Sequence, residues 1–368
     1  MSRTSLSSRS STSLLETTLS RIGLPDAAAA EAARSRQARL TKPPGSLGRL
    51  EDLAVRIAGI AGNSVPELGP GVAFVMAADH GVAAAGVSAY PREVTAAMVL
   101  NFLAGGAAVN ALAAFAGFRV SVTDCGVASD LGPATGLRIR RVRPGTDDIT
   151  RGPAMSRDEA RRSVEIGIEV FEEEFESGPF GLAAAGEMGI GNTTPASAIV
   201  AALTGRPPRE VTGRGTGVDD RGLERKVAAV ERALAVNRPD PSDPLDVLSK
   251  VGGFEIGAMA GVFLAAAARR IPVLVDGFIS AAAALIARGL CPRAAEYMIA
   301  GHQSVEPGQA AALGLMGLTP VLDLGMRLGE GTGAVLAAAV CRAACEVHAR
   351  MATFEEAGVP GAPEGRKP

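Results

Sequence analysis

Tryptophan is absent from the 368 residues, and cysteine and histidine are scarce, with four and three copies. The cysteines lie in no paired framework and are too few to staple a chain of this length, which argues against a disulfide scaffold and favours a reducing, cytoplasmic location. The histidines match no zinc spacing, so we expect no metal site. Cys341, Cys345 and His348 share one helix face by their spacing, and we interpret that face as a packed core stripe.

The sequence also lacks a surplus of charge of either sign, since its formal net charge is -2. Without a global basic field, neither a nucleic-acid partner nor a membrane surface is expected, and a small-molecule partner is favoured. One arginine cluster occupies positions 138, 140, 141 and 143. Its alternation with Ile139 and Val142 is at least as typical of an exposed edge strand as of an anion site, and we favour the edge strand.

Long apolar runs and several catalytic motifs are missing as well. Residues 257–268 end at Arg269, and the next run contains Pro272 and Asp276, so no run reaches membrane-spanning length. The absence of a Gly-x-Ser-x-Gly elbow and of a Walker-type loop argues against serine hydrolases and P-loop enzymes. A dinucleotide fingerprint fits residues 186–191 poorly, because the spacing differs and an acid lies within the turn.

Short β-like runs alternate with longer helical stretches, which predicts an α/β fold with a doubly wound, Rossmann-like parallel sheet and helices on both faces. The predicted strands cover residues 72–77, 119–123, 182–185, 271–275, 297–300 and, less clearly, 320–322. The predicted helices include residues 92–115, 157–175, 222–236 and 280–287.

The two chain ends contain no convincing strand before residue 65 and a helical pattern in residues 332–354. We predict that residues 21–65 and 335–368 form a small helical domain beside a large α/β domain of residues 66–334. The alternative is that these helices cover one face of the sheet. Residues 1–20 are rich in Ser, Thr and Arg, and we expect a disordered extension there; a transit peptide has a similar composition.

Polar residues and glycines follow five of the predicted strands. They lie at residues 79–81, 124–126, 186–187, 276–277 and 301–303. Each could be an ordinary tight turn. Because ligands of open parallel sheets bind beyond the carboxyl ends of the strands, the recurrence predicts a site at that edge.

Residues 186–195 carry the sharpest local signal, a glycine turn between a strand and a helix. Thr194 suits the helix N-cap and Pro195 the first helical position. The turn amides and the positive end of the helix dipole would attract a phosphate. Because Glu187 cannot serve as a phosphate ligand, a phosphorylated sugar with a cationic leaving group fits the segment better than a bare anion.

Two further segments are candidates for the same site. Glu330 is flanked by Gly329 and Gly331 just before a helix, where a solvent-exposed turn glutamate is the ordinary alternative. Residues 213–220 form either an active-site loop or a plain surface turn. For Lys226 on the following helix, a solvated position is favoured when it is considered alone.

Together these motifs resemble the nicotinate-nucleotide:dimethylbenzimidazole phosphoribosyltransferase family from about residue 41 to about residue 350. The matching blocks are residues 41–51, 78–82, 186–195, 213–220, 275–278, 301–302 and 329–333. The resemblance implies a homodimer that transfers phosphoribose from nicotinate mononucleotide to a benzimidazole-type base in cobalamin assembly. It also implies that neither a metal nor a cofactor takes part.

The same resemblance assigns roles to individual residues. Glu330 matches the general base, and Glu187 and Lys226 match other catalytic positions. The residues implied in substrate binding are Gly189, Ile190, Gly191, Asn192, Thr193, Gly215, Thr216, Arg327, Gly329, Tyr90 and Met98. Met98 departs from the pattern, because a glutamine often stands there in relatives, and this leaves the preferred base open.

Two alternatives of other kinds remain. One is a non-catalytic sensor or carrier of nicotinate mononucleotide, against which the presence of both Glu187 and Glu330 argues. The other is an N-glycosyl transferase with a different leaving group. Release of free nicotinate in the presence of a benzimidazole separates them.

Overall fold

The computed structural model describes residues 12–360. Its central layer is a six-stranded sheet in the order β3-β2-β1-β4-β5-β6, with every neighbouring pair parallel. The strands are β1 (Gly71–Ala78), β2 (Phe118–Gly126), β3 (Leu137–Ile139), β4 (Leu182–Met188), β5 (Val273–Val275) and β6 (Met298–Ala300).

Helices surround this sheet and connect its strands. Within residues 12–360 they are α1 (Leu14–Ser20), α2 (Ala27–Gln37), α3 (Arg49–Ala61), α4 (Val94–Leu103), α5 (Ala108–Ala116), α6 (Arg157–Ser177), α7 (Thr193–Thr204), α8 (Pro208–Val211), α9 (Asp220–Asn237), α10 (Pro244–Val251), α11 (Phe254–Ala268), α12 (Phe278–Leu290), α13 (Pro307–Met316), α14 (Thr332–Arg350) and α15 (Phe354–Ala357). Short 3₁₀ turns cover Gly81–Ala85 and Pro292–Tyr297.

Helices cover both faces of the sheet, and the central strand β1 is apolar throughout. All eight residues of β1 are buried, as expected for a parallel strand covered on both sides. One core packs α6, α7, α11 and α12 against the sheet, and the other packs α3, α4, α5 and α14 against it. The predicted α/β fold with helices on both faces is confirmed.

Two predicted elements differ from the structure. Residues 320–322 form no strand and contribute a single bridge between Leu322 and His302. The predicted helix over residues 92–115 is two helices, α4 and α5, because Gly105 and Gly106 interrupt it and Gly105 has φ +77°. Glycine disfavours a continuous helix and permits this left-handed turn.

The arginine cluster lies at the outer edge of the sheet, on and after β3. Its side chains pair with carboxylates: Arg138 with Glu174, and Arg141 with the buried Asp124. The edge-strand interpretation is confirmed, and the carboxylates leave these two arginines no role as an open anion patch.

The predicted disordered extension is wrong for residues 14–20, which form α1. Ser13 and Glu16 make a capping box, and Leu15 is buried where α1 packs against α6. The polar composition of this segment did not predict a helix, because only a few apolar side chains of α1 contact the core. The remainder of the expected extension up to residue 11 lies outside the described residues.

Both chain ends meet on one side of the molecule. Leu40 and Thr353 form an antiparallel bridge, and the buried Gln37 and His348 side chains are 3.0 Å apart. Helices α3 and α14 also share a core with the sheet strands, as in the alternative considered above. The division into two domains stays a prediction. Cys341, Cys345 and His348 are buried on one face of α14, which confirms the core stripe.

Among the described residues, two apolar stretches, Val94–Ala116 and Thr332–Arg350, are long enough to cross a membrane by length and composition, so the expectation that no run reaches that length is wrong. The first is divided between α4 and α5 by residues 104–107, and the second packs against the sheet as α14. Both features weaken the case for a membrane span. That the chain stays out of membranes remains a prediction.

Candidate active site

A cavity of about 510 Å³ opens at the carboxyl edge of the sheet. Loops after β4, β5 and β6 and the turn before α14 meet there, as predicted from three of the five polar strand ends, whereas residues 79–81 and 124–126 are not part of the cavity wall. The predicted site residues that line it are Tyr90, Met98, Glu187, Gly189, Ile190, Asn192, Thr193, Gly215, Thr216, Arg327, Gly329 and Glu330. The structure therefore brings together segments that are far apart in the sequence.

The turn of residues 189–193 joins β4 to α7. Helix α7 begins at Thr193, two residues earlier than predicted, and Pro195 occupies its third position. The N–H groups of Asn192 and Thr194 bond within the turn, and that of Ile190 donates to the Thr95 hydroxyl at 3.1 Å. Among residues 12–360, the N–H groups of Gly191 and Thr193 have no protein acceptor. Free amides at a helix start are suited to an oxyanion.

Lys226 lies directly behind this turn, although it is not part of the cavity wall. Its side chain is 1% exposed, and its ammonium group donates to the Thr193 hydroxyl at 2.8 Å. The interpretation as a solvated surface lysine is wrong, because α9 packs against α7 and carries Lys226 inward. Burial lowers the pKa of Lys226 to about 8, with Glu306 acting in the opposite direction. A buried ammonium of this kind gains strongly from an anion beside it.

The turn of residues 329–331 presents Glu330 on the other side of the cavity. Glu330 is 5% exposed, so the solvent-exposed alternative is wrong. Its backbone has φ +64°, which is uncommon outside glycine. Burial raises the pKa of the Glu330 carboxyl, while a hydrogen bond from the Val109 backbone lowers it and Asp276 raises it. The Glu330 Oε2 atom is buried without a hydrogen-bond partner in the described chain.

Glu187 lies between the two turns. Its carboxyl accepts a hydrogen bond from the Asn192 amide group and packs against Gly329, where a Cβ atom would overlap the Glu187 Oε1 atom. Burial, together with the nearby Glu255 carboxylate, raises the pKa of Glu187 to about 8. At neutral pH Glu187 is therefore largely uncharged and can donate a hydrogen bond.

The loop of residues 213–218 closes the cavity beside Lys226. Gly215 and Thr216 line the cavity, and the Gly215 N–H donates to the buried Glu306 carboxylate at 2.8 Å. The Arg327 side chain reaches the Gly215 carbonyl at 3.4 Å. Gly215 is buried and Thr216 is exposed, and both form part of the cavity wall, so their place in an active-site loop stays a prediction.

Comparison with known proteins agrees with a phosphate-binding site in this cavity. The profile of a family described as Phosphoribosyltransferase matches residues 22–359. The chain belongs to the phosphoribosyltransferase family. It is a transferase, and the family resemblance inferred from its motifs is confirmed over nearly the whole chain.

Named phosphoribosyltransferases are similar over almost their full length. The nicotinate-nucleotide:dimethylbenzimidazole phosphoribosyltransferase of Chloroflexus aggregans is 60% identical over 347 residues, covering 94% of this chain and 98% of the relative. The enzyme of the same name from Roseiflexus sp. (strain RS-1) is 59% identical, covering 95% and 99%. A crystal structure of such an enzyme from Thermus thermophilus superimposes with a TM-score of 0.87 at 48% identity, covering 92% of this chain and 100% of that chain.

Several polar residues of this phosphoribosyltransferase cavity were absent from the predicted site. Asp276, His302, Ser304 and Glu306 also line it. Asp276 and His302 were recognised as strand-end residues, and the signal for Glu306 is its place before Pro307 at the start of α13. Their importance depends on contacts between distant segments, which a single sequence does not reveal.

A buried pair lies beneath the phosphoribosyltransferase cavity, next to the turn of residues 189–193. His80 and Glu255 are 2.8 Å apart, and both are almost fully buried. Burial is the largest single influence on the pKa of His80 and lowers it, but the charge and hydrogen bond of Glu255 together with the charge of Asp79 outweigh it, so the net change is upward. Among residues 12–360, no group of three or more His, Cys, Asp or Glu side chains could hold a metal ion. A metal-free reaction stays a prediction.

Proposed function

We propose that this phosphoribosyltransferase moves phosphoribose from nicotinate mononucleotide to 5,6-dimethylbenzimidazole or a related base. The products are nicotinate and α-ribazole 5'-phosphate, for the nucleotide loop of cobalamin. The relatives' names supply the substrates. The structural observation that carries the proposal is that Glu330 and four residues of the turn before α7, all but Gly191, line one cavity.

The phosphate of nicotinate mononucleotide docks on the turn of residues 189–193. The amides of Gly191 and Thr193 and the Thr193 hydroxyl supply hydrogen bonds, and the Lys226 ammonium supplies charge. Burial has separated the Lys226 ammonium from water, and a phosphate beside it stabilises its positive charge. Gly215 and Thr216 lie next to Lys226 and Thr193 and enclose the ribose phosphate.

The incoming base occupies the apolar side of the cavity. Val94 and Met98 of α4 and Leu328 form part of this wall, and Tyr90 lies at its edge, where its side chain is half-exposed. An apolar wall with few fixed polar groups accommodates a planar aromatic ring. The Met98 thioether offers no strong hydrogen bond and therefore permits several bases.

The chemistry requires little covalent assistance from the protein. The pyridinium ring is a good leaving group, and the anomeric carbon becomes oxocarbenium-like as the bond to nicotinate breaks. A benzimidazole nitrogen attacks the opposite face, which inverts β to α, and the ring loses its other N–H proton. Glu330 accepts that proton, and its raised pKa brings it closer to neutrality, where a general base is most effective.

The direct test is to incubate the purified protein with nicotinate mononucleotide and 5,6-dimethylbenzimidazole and to measure nicotinate and α-ribazole 5'-phosphate. We expect equal amounts of both products, dependent on the base. Binding of nicotinate mononucleotide without release of nicotinate would contradict the proposal and favour the sensor alternative. Failure to bind it would favour an N-glycosyl transferase with another leaving group.

A homodimer is the second part of the proposal. Helices α4 and α5 leave an apolar strip exposed, in which Leu100 is 49% and Phe115 73% exposed. The exposed alanines at positions 97, 104, 108 and 111 extend it along both helices. Burying such a strip against a second copy removes apolar surface from water. Sedimentation of the native protein and of Phe115→Glu tests this, with monomer expected only for the variant.

The location we propose is the cytoplasm. All four cysteines are free, and Cys125, Cys341 and Cys345 are buried as thiols, which suits a reducing compartment. Neither a nucleic acid nor a membrane is proposed as a partner, because the net charge is -2 and the arginines at the sheet edge pair with carboxylates.

A further inference from the structure

The turn that carries Glu330 lacks the local features that usually fix a helix start. Helix α14 begins at Thr332, and the N-cap residue Gly331 has no side chain to accept a hydrogen bond from the first amides. Gly329, Glu330 and Gly331 have φ +86°, +64° and +87°, so three successive residues are left-handed. The Thr332 N–H and hydroxyl both donate to the Gly329 carbonyl, at 3.1 and 2.7 Å, but no local side chain accepts from the first amides of α14.

The backbone of β4 crowds this turn. Gly186, at the centre of β4, lies directly against the turn, and a Cβ atom there would overlap the Glu330 carbonyl carbon and the Gly331 nitrogen. The close approach places Glu330 beside Glu187, the next residue of β4. It also crowds the backbone at Gly331, whose own Cβ position lies 3.4 Å from the Gly186 Cα.

Asp276, which follows β5, supplies the missing cap from a distant part of the chain. Its carboxylate accepts from the Gly331 N–H at 3.2 Å and from the Ala334 N–H at 2.8 Å. These are the N-cap and third amides of α14. Asp276 is 2% exposed, so water does not compete effectively for these two bonds.

Asp276 is itself fixed by a buried network. The Ser280 hydroxyl accepts from its N–H at 3.1 Å, and the Gln309 amide group donates to the carbonyls of Asp276 and His302 at 3.0 and 2.9 Å. The His302 Nε2 atom lies 3.7 Å from the Asp276 carboxylate. Burial raises the pKa of Asp276, while His302 and the backbone amides act in the opposite direction.

His302 has no other partner that explains its burial. It is 1% exposed, and neither ring nitrogen has a hydrogen-bond partner among residues 12–360. The ring is packed against Gly333, where a Cβ atom would overlap it, and it lines the cavity. The ring therefore fills the space between Gly333 and the Asp276 carboxylate.

We propose that Asp276 is the positioning residue for Glu330, with His302 packed beside the Asp276 carboxylate. Asp276 touches no reacting atom in this account. It fixes the amides of Gly331 and Ala334, which sets the turn and the location of the Glu330 carboxyl. The inference rests on the proposed function, because Glu330 must act on the substrate for its position to affect turnover.

The test is a double-mutant cycle of Asp276→Asn and Glu330→Gln, followed by nicotinate release at saturating nicotinate mononucleotide. In Asp276→Asn an amide NH₂ group replaces one acceptor oxygen and faces a backbone N–H, so one of the two hydrogen bonds to α14 is lost. We expect kcat to fall by about tenfold or more with Glu330 present and by less than about twofold in Glu330→Gln. The KM for nicotinate mononucleotide should change by less than about threefold, since its phosphate turn is separate.

If the fold-losses in kcat of the two single variants multiply in the double variant, the two residues act independently, and the positioning role is overturned. Wild-type protein that releases no nicotinate would contradict the proposed function instead. If Asp276→Asn does not fold, His302→Gln takes its place in the same cycle, with an expected loss of about threefold that vanishes in Glu330→Gln. No loss, or a loss that persists there, would overturn the inference.

Asp124→Asn is the matched control. Asp124 is also a buried strand-end aspartate, and it accepts from the Gly126 and Val127 amides at 3.0 and 2.8 Å, but it lies outside the cavity wall. We expect a lower Tm with kcat within about twofold of wild type, because the loss is structural alone. An equal fall in kcat for Asp124→Asn would show that any buried aspartate affects turnover and would overturn the specific role of Asp276.

Discussion

The turns of residues 189–193 and 329–331 look alike in sequence and differ in chemistry. Both are rich in glycine, both precede a helix, and both line the same cavity. Behind the first lies the cation Lys226, and behind the second lies the anion Asp276. The comparison shows that the chemistry of a glycine turn depends on the residue packed behind it, and that this residue comes from a distant part of the chain.

The largest effect in this comparison is expected at the turn of residues 329–331. Glu330→Gln keeps the side-chain shape but removes the proton acceptor, so kcat should fall by about 10²–10⁴-fold. Binding of nicotinate mononucleotide, measured by calorimetry, should change little. A variant with near wild-type kcat would contradict the assignment of Glu330 as the base.

The next effect is expected at the turn of residues 189–193. Lys226→Met removes the buried cation, and the KM for nicotinate mononucleotide should rise by about 10–100-fold, the size of a lost hydrogen bond to a charged group. The matched control is Lys250→Met, since Lys250 pairs with Asp246 outside the cavity. If both variants had the same KM, phosphate binding at this turn would be refuted.

Glu187, between the two turns, should make the free energy of unfolding depend on pH. Its pKa is raised to about 8 in the folded protein, so the folded state binds more protons than the unfolded state between about pH 4.5 and 8. Stability contributed by this group is present at low pH and is lost as the pH rises through that window. Glu187→Gln should therefore raise the free energy of unfolding at pH 8.5 by about 2–4 kcal/mol and change it little at pH 4.5. Denaturant titrations at both pH values measure this, and equal effects at the two would disprove the raised pKa.

The smallest effect concerns the apolar wall. Met98→Gln places an amide where the thioether now lies, and we expect kcat/KM to shift by about fivefold toward bases with more hydrogen-bonding groups, such as adenine, over 5,6-dimethylbenzimidazole. Competition between the two bases measures the ratio. Val94→Ile is the control, because it changes the same wall without adding a polar group.

Hydrophobic pattern was sufficient to predict most of the sheet, because β1 is a continuous apolar run, β4 begins with one, and β2 alternates apolar with polar residues. It failed where tertiary contacts decide. Residues 320–322 lie near β6 but make only one bridge, and α1 depends on a few buried contacts and a local cap.

The candidate site was predictable in its glycine turns and in Glu187 and Glu330. The roles of Asp276 and Glu306 were not predictable, because their local sequences resemble those of ordinary turn acids. Only the folded chain brings Asp276 to the amides of α14 and Glu306 to the amide of Gly215. The burial of Lys226 likewise follows from the packing of α9 on α7 rather than from its charged neighbours.

The measurement that tests the central claim most directly is a crystal structure with α-ribazole 5'-phosphate bound. The account predicts the phosphate on the amides of Gly191 and Thr193, next to Lys226, and the free base nitrogen within hydrogen-bonding distance of the Glu330 carboxyl. A phosphate bound elsewhere, or a base remote from Glu330, would contradict it.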